Sequence, residues 1–119
     1  QIVKGWTENG EQRQRVWDVV CSGARQPNEL GQCPKTSASV DLSSCSRTGE
    51  EGARELEVTF SDPDFSAAQP AFYYARVLEN PTCRWTTMLA NSGGVELPND
   101  VPAMVQERGW SSPIWSASR

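Results

Sequence analysis

Four cysteines, Cys21, Cys33, Cys45 and Cys83, spread along 119 residues constrain this fold more than any other feature of the sequence. Their gaps are long, and none forms the two-to-four-residue knuckle that places two thiolates on one zinc ion, so structural zinc is not expected. An even number in a small domain fits disulfides made in an oxidising compartment, each closing a loop for about 3 kcal/mol. Three connectivities are open. Cys21–Cys33 with Cys45–Cys83 is favoured, because the first bond clips a polar loop and the second ties a loop to the end of a long strand. Four buried thiols are the alternative. Disulfides in turn imply export, to a periplasm or the extracellular space.

The length suits a single domain over residues 1–119. Five tryptophans argue against disorder. Eleven Lys and Arg against fifteen Asp and Glu leave a net charge of −4 with no basic cluster, so nucleic acid is not an expected partner. No apolar stretch approaches the roughly 18 residues that span a bilayer, so membrane insertion is not expected either. The chain opens directly on the strand-like run Gln1-Ile2-Val3-Lys4-Gly5-Trp6, without an initiator Met or a leader, which suggests a processed chain or a piece of a longer one. Oligomeric state cannot be read from it.

Asn9-Gly10, between Ile2–Thr7 and Arg13–Val20, predicts an antiparallel hairpin. From Cys21 to Thr48 the chain is rich in Ser, Gly, Pro, Asn and Gln, a long cross-linked loop with one strand candidate at Ala38–Leu42. Glu50, Glu51, Ala53 and Arg54 can make a helical turn. Glu55–Phe60 alternates Leu56, Val58 and Phe60 against Glu55, Glu57 and Thr59, predicting a half-buried strand. Ala71–Glu79, the longest apolar and aromatic run, is expected to be the central strand. Trp85–Ala90 predicts one or two helical turns stopped by Gly93-Gly94. Ala103–Arg108 and Ile114-Trp115 are the remaining strand candidates. The expected fold is mainly β: a small antiparallel sheet or sandwich-like domain with a long disulfide-linked loop and at most one or two short helices.

The chain has no histidine, the commonest general base and metal ligand. It has no Gly-rich phosphate loop and no nucleophile elbow. No catalytic residue, metal ligand set or cofactor is therefore expected within it. Asp62, Asp64 and Ser66 superficially repeat the alternating oxygens of a calcium loop but lack its Gly and terminal Glu. A Pro-containing turn whose aspartates bond their own backbone is the simpler reading. Arg76 shares a strand face with Phe72, Tyr74 and Leu78, where it needs an acidic, anionic or aromatic partner. An ion pair with Glu79 or Glu107 is weighed there against an anionic ligand. Asn80-Pro81-Thr82 fails as a glycosylation site because of its proline. The segment Glu107-Arg108-Gly109-Trp110-Ser111-Ser112-Pro113-Ile114-Trp115 is dense in interface-favouring residues. It is either a docking edge or a terminal piece of the domain's own core.

Two stretches carry a resemblance: Asp62-Pro63-Asp64-Phe65 with Gln69 through Trp85, and Gln106 through Trp115. Together with Gln1–Trp6 and Val16–Val19 they resemble the C-terminal part of the domain of unknown function 3604 family. The ending Ser116-Ala117-Ser118-Arg119 departs from the tyrosine-containing one associated with that family. The resemblance implies a longer, often exported parent whose N-terminal portion is similar to polymerase-and-histidinol-phosphatase-type metal-dependent hydrolases. It implies a divalent metal in that portion, and that portion as this chain's partner. It also points to Arg76, Glu79, Arg84, Trp85, Glu107, Arg108 and Trp110 as ligand or domain-interface residues. The expected function is thus a non-catalytic C-terminal region that stabilises or walls the parent's site. The alternative is a free-standing secreted module that binds a protein or glycan through its Trp/Arg-rich edge.

Overall fold

The structure, a computed structural model, describes residues 1–50 and 52–116. In chain order its elements are β1 (Ile2–Glu8), β2 (Glu11–Trp17), β3 (Ser39–Asp41), β4 (Ser46–Thr48), β5 (Ala71–Leu78), β6 (Thr82–Cys83), α1 (Trp85–Gly93), β7 (Met104–Val105), β8 (Arg108–Trp110) and β9 (Ile114–Ser116). The chain is mainly β with antiparallel pairing. It carries the two favoured disulfides, Cys21–Cys33 and Cys45–Cys83, with Cα separations of 5.8 and 5.5 Å. It divides into two compact units. The first holds Gln1–Pro34, Arg54–Val77 and the chain from Gly109 onward; the second holds Lys35–Ala53 and Leu78–Arg108.

The first unit is built on the expected hairpin. Asn9 and Gly10 both have positive φ, 51° and 80°, as a two-residue type I′ turn requires. The register runs from Glu8↔Glu11 to Ile2↔Trp17. β2 ends three residues short of the expected Val20 because Asp18 leaves the ladder. Its N–H donates to Gly31 O (2.7 Å), and its carboxylate accepts from Cys33 N–H and from Gln1 Nε2 (2.6 Å each). These bonds hold the Cys21–Cys33 loop against the sheet. β5 is central, as expected, pairing β1 on one side and β8 and β9 on the other.

One face of this sheet buries a charge. Lys4 is 3 % exposed, and its Nζ lies 2.6 Å from Asp62 Oδ2 and 3.0 Å from Asp64 O. Tyr73, the cross-strand neighbour of Lys4, donates its hydroxyl to the same Asp62 Oδ2 at 2.7 Å. The rings of Trp6 and Tyr73 stand 5.3 and 5.6 Å from the ammonium, close enough for a cation–π contribution. Burial alone pulls the Lys4 pKa down, but its bonds to Asp62 and Tyr73 outweigh that and hold it above the ordinary lysine value. Burial pushes Asp62 up, and the Lys4 and Tyr73 bonds more than reverse it, so its carboxyl sits below the ordinary range. Burial and the bond to Asp62 both raise the Tyr73 phenol. Asp62 Oδ1 accepts from Asp64 N–H at 2.9 Å, the self-bonded turn weighed against calcium. Arg15 pairs with Asp64 and lies 4.9 Å from the Trp17 ring, which meets Phe60 at 5.2 Å.

Glu55–Phe60 is not the predicted strand. Residues 55–60 join no ladder, and Leu56 and Val58 are each 46 % exposed. The alternation told which side chains share a direction but not whether a ladder would form: β2 is an edge strand, yet the segment does not pair with it, and the Phe60 ring packs against Trp17.

In the second unit β3 pairs β4, a strand not foreseen, and buries Val40. The expected strand Ala103–Arg108 is broken. Met104–Val105 pairs β6 as β7, whereas Arg108 begins β8, because the chain leaves the first ladder at Gln106 and its Glu107 O accepts from Glu79 N–H instead. α1 extends beyond the predicted Ala90 but ends on the expected glycines, with Gly94 left-handed at φ 64° and its N–H on Ala90 O. Of the predicted turn at Glu50–Arg54, Glu51 lies outside the described residues, and Glu50, Ala53 and Arg54 are not helical. Residues 117–119 of the atypical ending also lie outside them.

α1 is inverted relative to an ordinary surface helix. Its buried residues are the small Thr87 and Ala90, with Thr87 Oγ1 donating to Ala103 O at 2.6 Å. Trp85, Met88 and Leu89, one face at i, i+3 and i+4, are 65, 50 and 60 % exposed.

Candidate functional site

The other face of the first unit's sheet carries a shallow groove of about 340 Å³ lined by Phe72, Tyr74, Trp110, Ser111, Pro113 and Trp115. Its construction begins at Gly5. A Cβ there would stand 2.3 Å from Phe72 Cζ, so the glycine lets the Phe72 ring lie flat across β1. Phe72 and Tyr74, alternate residues of β5, have nearly parallel rings (9°) at 6.4 Å. Trp115, paired with Phe72 across the ladder, meets its ring at 5.3 Å and a 52° tilt.

Trp110 joins them through a β-bulge. β9 pairs β5 in the register Tyr73↔Ile114, whereas Ser111 N–H reaches Ala75 O at 3.0 Å. Two steps along β5 are therefore matched by three along the edge strand, and the extra residue lies between Ser111 and Ile114. Five positions apart, Trp110 and Trp115 would point to opposite faces of a regular strand. The bulge turns both to the same face, a re-aiming that bulges perform elsewhere. Both remain open, Trp110 63 % and Trp115 72 % exposed.

The groove is chemically plain. It has no carboxylate, thiol or imidazole among its lining side chains. The Ser111 hydroxyl is committed, accepting from Ala75 N–H and donating to Ser112 O, both at 2.9 Å. The indole N–H groups and the Tyr74 hydroxyl are the remaining side-chain polar groups. Such a lining binds apolar and CH-rich surfaces by dispersion and ring contact.

Of the seven residues nominated from the sequence, Trp110 lines the groove and Arg76 does not. The two are backbone neighbours across the β5–β8 ladder, as Glu79 and Glu107 are through their backbone bond. The Ser111–Ala75 bond sets Trp110 beside Arg76, which follows Phe72 and Tyr74 on the same face of β5. Arg76 makes neither expected ion pair: its Nε donates to Gln1 Oε1 at 2.6 Å, and the Gln1 amide passes on to Asp18. An amide thus links a cation to a carboxylate that does not touch it. The other five belong to the second unit. Glu79, Glu107 and Arg108 are exposed, Arg84 caps α1 and Trp85 opens it. Phe72 and Tyr74 were missed as site residues. The one available signal was the odd spacing of two tryptophans around a proline.

Among the described residues no three His, Cys, Asp or Glu side chains gather as a metal-holding set, and no helix is long and apolar enough to cross a membrane. The family described as "Protein of unknown function (DUF3604)" matches residues 1–118. No curated protein and no solved structure matches the chain.

Proposed function

The chain belongs to the DUF3604 family, and from that membership we propose that it is a non-catalytic accessory region of a larger exported protein, held by its exposed apolar surface to another portion of the same polypeptide. The carrying observation is α1, which turns Trp85, Met88 and Leu89 outward. A helix is stable in water with its apolar face inward, so the opposite arrangement marks a covered surface.

The parent is proposed to be a metal-dependent hydrolase-like protein whose metal centre lies in that other portion, with this region stabilising or walling it. The lack of histidine here and the oxidising compartment that two disulfides suit support the reading. A second reading, a secreted binding module acting alone, is favoured by the aromatic groove.

The test mixes this chain with the separately expressed histidine-containing portion of a full-length family member. Association at micromolar concentration, lost in Leu89→Asp with the fold and both disulfides intact, is the expected result. No association, or association indifferent to Leu89→Asp, overturns the proposal.

A further inference from the structure

We propose that the Cys45–Cys83 bond is a reversible site of thiol–disulfide exchange: a dithiol reductant opens it while Cys21–Cys33 stays closed, and the opening unfolds α1 but not the sheet of the first unit. For its consequence the proposal rests on the reading of α1 as the docking helix, because opening the bond would withdraw Trp85, Met88 and Leu89 together.

The second unit has little else to hold it. Among its described residues Val40, Cys83, Thr87 and Ala90 are buried, so a cystine stands where a unit of this size needs large apolar side chains. β3 and β4 have three residues each, and β6 and β7 two. α1 has nine residues, fewer than the roughly 12–15 at which an isolated helix becomes even marginal in water. Its large apolar residues point outward, so it packs inward through Ala90 and through Thr87, whose hydroxyl bonds Ala103 O. Asn91 links it to the β3–β4 hairpin, donating its amide to Leu42 O at 2.8 Å and Ser43 O at 3.1 Å. Both carbonyls belong to the hairpin loop that ends at Cys45, so the disulfide holds the surface on which the helix is clamped.

Cys45 is also set to move once released. Its φ is 55°, a left-handed conformation that a residue with a Cβ adopts at a cost. Freed from Cys83, it can relax and carry its sulfur out of reach. Cys33 is held differently. Its N–H donates to the Asp18 carboxylate at 2.6 Å, and Asp18 N–H donates to Gly31 O at 2.7 Å. The thiols of Cys21 and Cys33 therefore stay near one another after reduction and close again.

Cys45 is half-buried and Cys83 buried, so the reductant's thiolate attacks Cys45 Sγ. The S–S bond breaks, Cys83 leaves as a thiolate and takes up a proton, and a mixed disulfide joins Cys45 to the reductant. The second thiolate of the reductant then displaces Cys45, which is protonated in turn. Two electrons and two protons have passed to the chain, and the dithiol has become a disulfide.

The test titrates the whole chain with dithiothreitol, traps free thiols by alkylation for peptide mapping, and follows backbone hydrogen exchange in the same samples. Cys45 and Cys83 should be trapped at a dithiol concentration about tenfold or more below that needed for Cys21 and Cys33. At that step α1 should exchange about a hundredfold or more faster, β1 and β5 should keep their protection, and reoxidation should restore α1. Cys45→Ser with Cys83→Ser should leave α1 unprotected without any reductant, whereas Cys21→Ser with Cys33→Ser should not. Cys21–Cys33 opening first or at the same concentration, α1 staying protected after Cys45–Cys83 opens, β1 and β5 losing protection at the same step, or failure of reoxidation to restore α1 would each overturn the proposal. None of these readouts involves association, so a failure of the docking reading leaves them unchanged.

Discussion

Replacing Asp62 by Ala removes the partner of a buried lysine, and the structure says how large the damage is. The side chains of Lys4 and Asp62 are 3 % and 6 % exposed and 2.6 Å apart. Deleting one member of such a pair strands the other charge away from water, at a cost of about 3–5 kcal/mol. The same carboxylate also accepts from Tyr73 and ties the turn at Asp64, which places this variant at the upper end. For a chain of this size the loss corresponds to roughly 10–20 °C in Tm. Calorimetry with the disulfides intact measures it. In a Lys4→Met background, where no ammonium is left behind, the same substitution should cost clearly less, and the difference is the coupling. The pH profile carries an independent sign. The Asp62 carboxyl is lowered on folding, so its contribution is complete above the ordinary carboxylate range and disappears as pH falls through its lowered value. The Lys4 ammonium is raised, so its contribution is complete below the ordinary lysine value and disappears only as pH rises through the raised one. Asp62→Ala should flatten the acid limb of the wild-type curve. A cost below about 1 kcal/mol, or an equal cost with and without Lys4, would refute the claim that the pair is a buried charge lock.

Gly5→Ala places a methyl group 2.3 Å from Phe72 Cζ and must push the ring aside; a loss of about 1–3 kcal/mol is expected in chemical denaturation. Removing Cys45–Cys83, which spans 38 residues, should lower stability by about 4 kcal/mol, against about 3 kcal/mol for Cys21–Cys33, which spans 12. Paired Cys→Ala substitutions compared by urea midpoint test that order.

Elements set by local chemistry were legible in the sequence. Asn9-Gly10 announced the hairpin because few other pairs tolerate two positive φ values in succession. Gly93-Gly94 marked the helix end for a related reason. The disulfide pairing followed from which loops needed closing. What depended on tertiary partners was not legible. The alternation in Glu55–Phe60 is real, but residues 55–60 pair with no strand. Lys4 sits in a strand whose pattern reads as ordinary, and only the return of the chain at Asp62 buries it. Arg76 found an amide 75 positions away rather than a nearby carboxylate. Of the candidate site, the tryptophan-rich end was visible, whereas its union with Phe72 and Tyr74 required knowing the ladder.

The extra residue between Ser111 and Ile114 makes segment length a carrier of information separate from composition. Deleting Ser112 would leave every aromatic residue of the groove in the chain, yet it would rotate Trp115 by half a turn relative to Trp110 and divide the rings between two faces. Substitutions at Ser112, an exposed position, should by contrast be well tolerated. Relatives that conserve both tryptophans but differ by one residue between them would present different surfaces, and a gap there in an alignment would separate proteins that matching residues alone would group together.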